Sequence, residues 1–244
     1  MGQNRGFRMR WLSLVGLVAL VGCVDVVEQG PVSQPAPQAT SRPKATTPTR
    51  AQVNQFISVV QRVEPIAERE CRARSPRANC DFRIVVDDRP GQPPNAYQTL
   101  DRNGQPILAF TLPLIAQVRN QDELAFVMGH EAAHHISGHI PRQQQNAAAG
   151  AILLGGLAAI TGASQTIVDQ AVDIGAGVGA RSYSKNFELE ADALGTVITH
   201  NAGYNPVRGA EFFSQLPDPG NRFLGTHPPN AQRVETVRRV AAGL

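Results

Sequence analysis

The sequence predicts an α+β fold, mostly helical with a small antiparallel sheet. Three observations carry this. Segments with apolar residues at helical spacing dominate from residue 51 onward, three short β-rich runs cluster between residues 82 and 111, and 244 residues that are 42% hydrophobic suffice for a full-sized core.

In chain order, residues 1–10 are polar and basic, and Trp11 to Gly22 is an apolar run of 12 residues. That length suits the apolar region of a signal peptide and is short for a membrane span. Leu20-Val21-Gly22-Cys23 resembles the bacterial lipoprotein box, which implies cleavage before Cys23 and lipid attachment to it. Residues 1–22 hold Arg5, Arg8 and Arg10 and no acid. Without these three of its 23 Lys and Arg, the chain carries 20 basic against 20 acidic groups. The mature charge is then balanced, so nucleic acid is not an expected partner. Residues 23–50 contain five prolines amid Ser, Thr, Gln and Ala, and read as a disordered tether to a domain at 51–244. Val24 follows the lipidated position without the Asp that holds many enterobacterial lipoproteins in the inner membrane. The expected location is therefore the outer membrane, facing the periplasm.

Within the domain, Phe56, Val59, Val60, Val63 and Ile66 place a helix over 51–72, kinked at Pro65. Cys71 and Cys80 flank an Arg/Pro/Ser-rich loop. A disulfide between them is favoured over metal binding, since the spacing is not CxxC and no His lies near. Phe82–Val86, Asn95–Leu100 and Pro106–Thr111 read as strands, the last two joined by an Asp-Arg-Asn-Gly turn. Strand Pro106–Thr111 is the expected edge for pairing with an extended substrate. A helix capped by Asn120 or Asp122 runs to about Ile140. No charge stands between Arg142 and Asp169, and the apolar stretch Ala147–Ala163 reads as a buried or surface-packed helical hairpin rather than a membrane span. Helices over about 183–200, from Asn205-Pro206, and over about 229–242 complete the domain.

Chemistry concentrates in two of these helices. His130-Glu131-Ala132-Ala133-His134 is HExxH. Positions i and i+4 share a helix face, so two imidazoles can converge on one ion with Glu131 beside it. Glu188 and Asp192 are likewise i and i+4, whereas Glu190 points about 200° away. Glu188 would complete a two-His, one-Glu site with an open fourth position. Asp192 would accept the free N–H of a ligating His. His135 reads as packing or surface, and His139 as a partner of the helix C-terminal dipole.

Asp122-Glu123-Leu124-Ala125 leading into His130–His134, then His139, then Tyr183-Ser184-Lys185-Asn186-Phe187-Glu188-Leu189-Glu190-Ala191-Asp192, then Thr226-His227-Pro228, resembles the zinc metallopeptidase family of the CAAX prenyl endopeptidases, and within it the soluble periplasmic bacterial branch. His135 stands where relatives usually carry Val, and the spans of the membrane-embedded members are missing from this sequence. The resemblance implies a zincin-like (gluzincin) fold and one Zn²⁺ per chain, held by His130, His134 and Glu188. It implies Glu131 as general base, Asp192 supporting a ligand, and His227 stabilising the oxyanion or latching the open position. The expected function is metalloendopeptidase action on unfolded or misassembled envelope proteins. The alternative is a latent or non-cleaving, chaperone-like assembly lipoprotein using the same groove.

Overall fold

Helix α1 (Arg50–Arg74) begins where Thr49 closes a capping box with Gln52, which satisfies two otherwise unpaired backbone N–H groups. The computed structural model describes residues 47–182, 184–218, 220 and 228–244. The expected signal peptide, Cys23, nearly all of the tether, and His227 therefore lie outside the described residues. Phe56, Val59, Val63, Ala67 and Cys71 form the buried stripe of α1, at the spacing the sequence shows. Pro65 sits on the exposed side of the helix, which continues through it. Cys71 and Cys80 are joined in a disulfide with Cα atoms 5.7 Å apart.

The sheet corrects an expectation. Strands β1 (Arg83–Asp87), β2 (Ala96–Leu100) and β3 (Pro106–Thr111) lie in the order β1-β3-β2. β2 and β3 pair antiparallel, as the turn at Asp101–Gly104 predicts, but β1 pairs parallel with β3. The sheet is mixed, not antiparallel. β3 is its central strand and nearly all buried, so it has no free edge for a substrate. That edge belongs to β2. Thr111 fixes the start of β2: its hydroxyl donates to the carbonyl of Pro93 at 3.0 Å and accepts the N–H of Asn95 at 2.9 Å.

After the short α2 (Leu112–Gln117), helix α3 (Gln121–Ile136) starts at Asn120, whose side chain accepts the N–H of Glu123. It ends four residues short of the expected limit. Gly138, at φ 65°, takes the left-handed conformation and breaks the helix, and α4 (His139–Ile160) starts there. A turn with Gly162 leads to α5 (Gln165–Ser182), followed by α6 (Ser184–Asn201), α7 (Pro206–Gly209), a 3₁₀ turn (Ala210–Gln215) and α8 (Asn230–Ala241). Helices α3, α1 and α6 and the inner face of β3 enclose the main core, which includes Val59, Val63, Leu108, Phe110, Leu124, Met128 and Ile198.

Helices α4 and α5 form the expected hairpin, but it is not buried. Eight large apolar side chains on it are exposed, among them Ile152, Leu153, Leu157, Ile160 and Ile167. No described helix is long and apolar enough to cross a membrane.

Candidate metal centre

Helices α3 and α6 meet at two glycines. A Cβ on Gly129 would lie 2.9 Å from the carbonyl oxygen of Gly195, and a Cβ on Gly195 would lie 2.9 Å from the amide nitrogen of His130. This close approach brings the HExxH face of α3 onto the Glu188/Asp192 face of α6.

The structure brings His130, His134 and Glu188 together. Their ligand atoms all lie within 4.8 Å of one another. His130 Nε2 is 3.0 Å from His134 Nε2, Glu188 Oε2 is 3.6 Å from His130 Nε2, and Glu188 Oε1 is 3.4 Å from His134 Nε2. Two imidazole nitrogens and a carboxylate, converging in a mostly buried spot, fit a divalent transition-metal ion.

Each histidine is held from behind. Asp192 Oδ1 stands 2.9 Å from His130 Nδ1, which turns Nε2 toward the cluster. His139 Nδ1 is 2.8 Å from His134 Nδ1, and His139 Nε2 is 3.3 Å from Glu190 Oε2. One proton arrangement satisfies that chain. His134 donates to His139, His139 donates to Glu190, and His134 Nε2 keeps its lone pair for an ion. His139 stacks on Phe187, and Arg142 also binds Glu190 at 2.8 Å. His139 thus caps the site rather than a helix dipole. Glu190, though turned away from the cluster, supports it through His139. His135 packs edge-on against Phe82 and meets the carbonyl of Asn79 at 2.7 Å.

Arg233 on α8 is the residue that sequence reasoning missed. It binds Asp192 in a fork, Nη2 to Oδ1 at 2.6 Å and Nε to Oδ2 at 2.8 Å, and comes within 3.4 Å of Glu188. Its guanidinium lies 3.9 Å from the centre of the Phe213 ring. A signal existed: Arg233 precedes buried Val237 by four residues and so shares the inward face of its helix.

Glu131 points into a cavity of about 500 Å³, which it shares with the cluster and with Asn95–Gln98 of the β2 segment. Burial outweighs the charge of His130 and the backbone at Gln98, which favour its ionised form, and pushes Glu131 up to about 7. Burial, with the charge of His130 beside it, drives His134 down to about 2. Burial alone would lower His130 too, but its hydrogen bonds to Asp192 and Glu188 win and raise it to about 9.

The sign of the pH effect follows. Below about 9 an ion must displace a proton from His130, whereas His134 is already neutral. Metal affinity should therefore strengthen as pH rises from 6 to 8, by about tenfold per unit for one proton released. Titrating the metal-stripped protein in buffers of different ionisation enthalpy checks both numbers, and an affinity flat over this range would contradict the proton count.

Two histidines one helical turn apart, a glutamate between them and a carboxylate from a second helix form a group that could hold a metal ion, as a metallopeptidase-type centre requires. The family model for peptidase family M48 matches residues 54–241, and the chain belongs to that family. It is 31% identical over 165 residues to the mitochondrial metalloendopeptidase OMA1 of Saccharomyces cerevisiae, covering 64% of this chain and 45% of that protein. It is 31% identical over 144 residues to the beta-barrel assembly-enhancing protease of Escherichia coli O157:H7, covering 50% of this chain and 28% of that one. The chain thus spans less than half the length of these curated relatives.

Proposed function

We propose that this chain is a zinc-dependent metalloendopeptidase of gluzincin type in the bacterial cell envelope, cleaving unfolded or misassembled envelope proteins. The observation that carries the reading is the placement of Glu131. It lines one cavity together with the His130/His134/Glu188 cluster and residues 95–98 of the β2 segment. The lipoprotein leader 1–22, lipidated Cys23 and the tether 23–50 would hold the peptidase domain, 51–244, at the periplasmic face of the outer membrane. The relatives named for enhancing β-barrel assembly support envelope proteins as clients. The likeness to the CAAX prenyl endopeptidases extends in our reading to the soluble branch only, so prenylated proteins are not invoked.

His130, His134 and Glu188 would hold the zinc, which would supply Lewis acidity toward a water and the scissile carbonyl near neutral pH. The remaining work falls to the protein. β2, paired on one side only among the described residues, offers backbone N–H and C=O groups to an extended chain. Such binding needs an unfolded segment and little sequence preference. Glu131 takes the proton of the attacking water and passes it to the leaving amine. Asp192 with Arg233, and His139 with Glu190, keep the two imidazoles aimed.

The test is chelation and restoration. Stripped protein should leave unfolded casein intact, and stoichiometric zinc should restore cleavage, while a folded, rigid substrate stays resistant in both states. Binding of unfolded casein without cleavage at any zinc level would favour the non-cleaving, chaperone-like alternative.

A further inference from the structure

Most soluble helical hairpins bury their large apolar residues between the two helices. The α4/α5 hairpin is built the other way round. Its inner seam is built on glycines in close backbone contact, with Val172 packed against Gly155. A Cβ on Gly150 would lie 2.1 Å from the carbonyl oxygen of Gly175, and one on Gly179 would lie 2.0 Å from that of Asn146. Gly175 and Gly179 are four apart, the small-xxx-small spacing by which helices pack closely when the surrounding solvent is lipid rather than water.

The large apolar side chains point outward. Ile152 is 75% exposed, Leu153 70% and Ile160 82%, with Leu157, Ile167 and Ile174 also more than half exposed. On α4 they spread over roughly 140° of the helix circumference at 100° per residue, and Ile167 continues the surface on α5, with Ile174 and Val178 beyond the acids and outside the inserted tip. A flat protein interface would cover one side of such a ridge, whereas a bilayer surface encloses its end. Residues 143–168, which include the whole tip, carry no charge, and the first acids, Asp169 and Asp173, lie further back on α5.

We propose that the tip of this hairpin inserts into one leaflet of a lipid bilayer. No described helix can cross a membrane, and the acids on α5 limit entry to the headgroup and upper acyl region, on the order of 5–10 Å deep. With no basic residue near the tip, insertion is driven by apolar burial. It needs no anionic lipid and does not weaken with salt. The surface is separate from the catalytic reading and does not depend on it.

The test is tryptophan fluorescence of the full chain. Trp11, the sole native tryptophan, is replaced by Phe, and a single reporter is introduced as Leu157→Trp or, separately, Ile167→Trp. Val53→Trp on α1 serves as the exposed control. With phosphatidylcholine vesicles, both hairpin reporters should shift to the blue. Acyl-chain-brominated phosphatidylcholine should quench them severalfold more than the control, at low and high salt alike. Whatever else holds the chain to the vesicle, this signal reports the hairpin alone. Water-like emission from both hairpin reporters in vesicle-bound protein would overturn the proposal. So would a blue shift that appears without lipid and grows with protein concentration, which would assign the surface to a second copy of the chain.

Discussion

Glu131→Gln should abolish measurable cleavage of unfolded casein while leaving metal content and thermal stability close to the parent protein. Gln keeps the shape of Glu, but it cannot take a proton from water. A positioned general base is worth about 10²–10⁴-fold in rate. Residue 131 is not among the three clustered ligand positions, so zinc measured by elemental analysis should remain at one per chain. Turnover unchanged in the variant would end the proteolytic mechanism as drawn. Zinc lost along with turnover would make Glu131 a ligand rather than the base.

Three carboxylates on one helix should respond differently to removal. Glu188→Ala should lose zinc and activity together, since two imidazoles alone leave an ion with too little charge and too many exchangeable positions. Glu190→Ala should keep zinc and most activity. Its carboxylate is half exposed and acts on His134 only through His139, at 3.3 Å. Asp192→Ala should fall between them in zinc affinity, at about 10–100-fold loss, yet be the least stable of the three. Asp192 is fully buried in a fork with Arg233, so its removal leaves that buried cation to the more distant Glu188 carboxylate at 3.4 Å, at a cost of up to about 3–5 kcal/mol. Asp192→Asn, which keeps the volume and an acceptor for His130, separates unfolding from ligand misorientation. Zinc retained in Glu188→Ala but lost in Glu190→Ala would mean that α6 presents its other face.

The parts of this molecule legible in the sequence were those governed by short-range periodicity. The i, i+4 pairs His130/His134 and Glu188/Asp192 announce shared helix faces, and the stripe Phe56–Val59–Val63 announces the buried side of α1. The turn at Asp101–Gly104 announces the β2/β3 hairpin. The illegible parts depend on partners far apart in the chain. Nothing local tells β1 to pass over β2 and pair parallel with β3. Arg233 meets Asp192 across 41 positions and His130 across 103. The helix break at Gly138 is the exception, a local signal that was there to be used. A glycine after His134-His135-Ile136-Ser137 is a helix stop.

The contact between Gly129 and Gly195 has a consequence for how this site can vary. At most packed positions a larger residue on one side can be offset by a smaller one opposite, so a lineage can drift through paired changes. Here both sides already hold the smallest amino acid, and the atoms a new Cβ would meet at 2.9 Å are a main-chain carbonyl and a main-chain amide. No compensating exchange exists. The spacing of the His130/His134/Glu188 cluster is set at two positions with no side chain to mutate, and the route past them is to rebuild the crossing of the two helices.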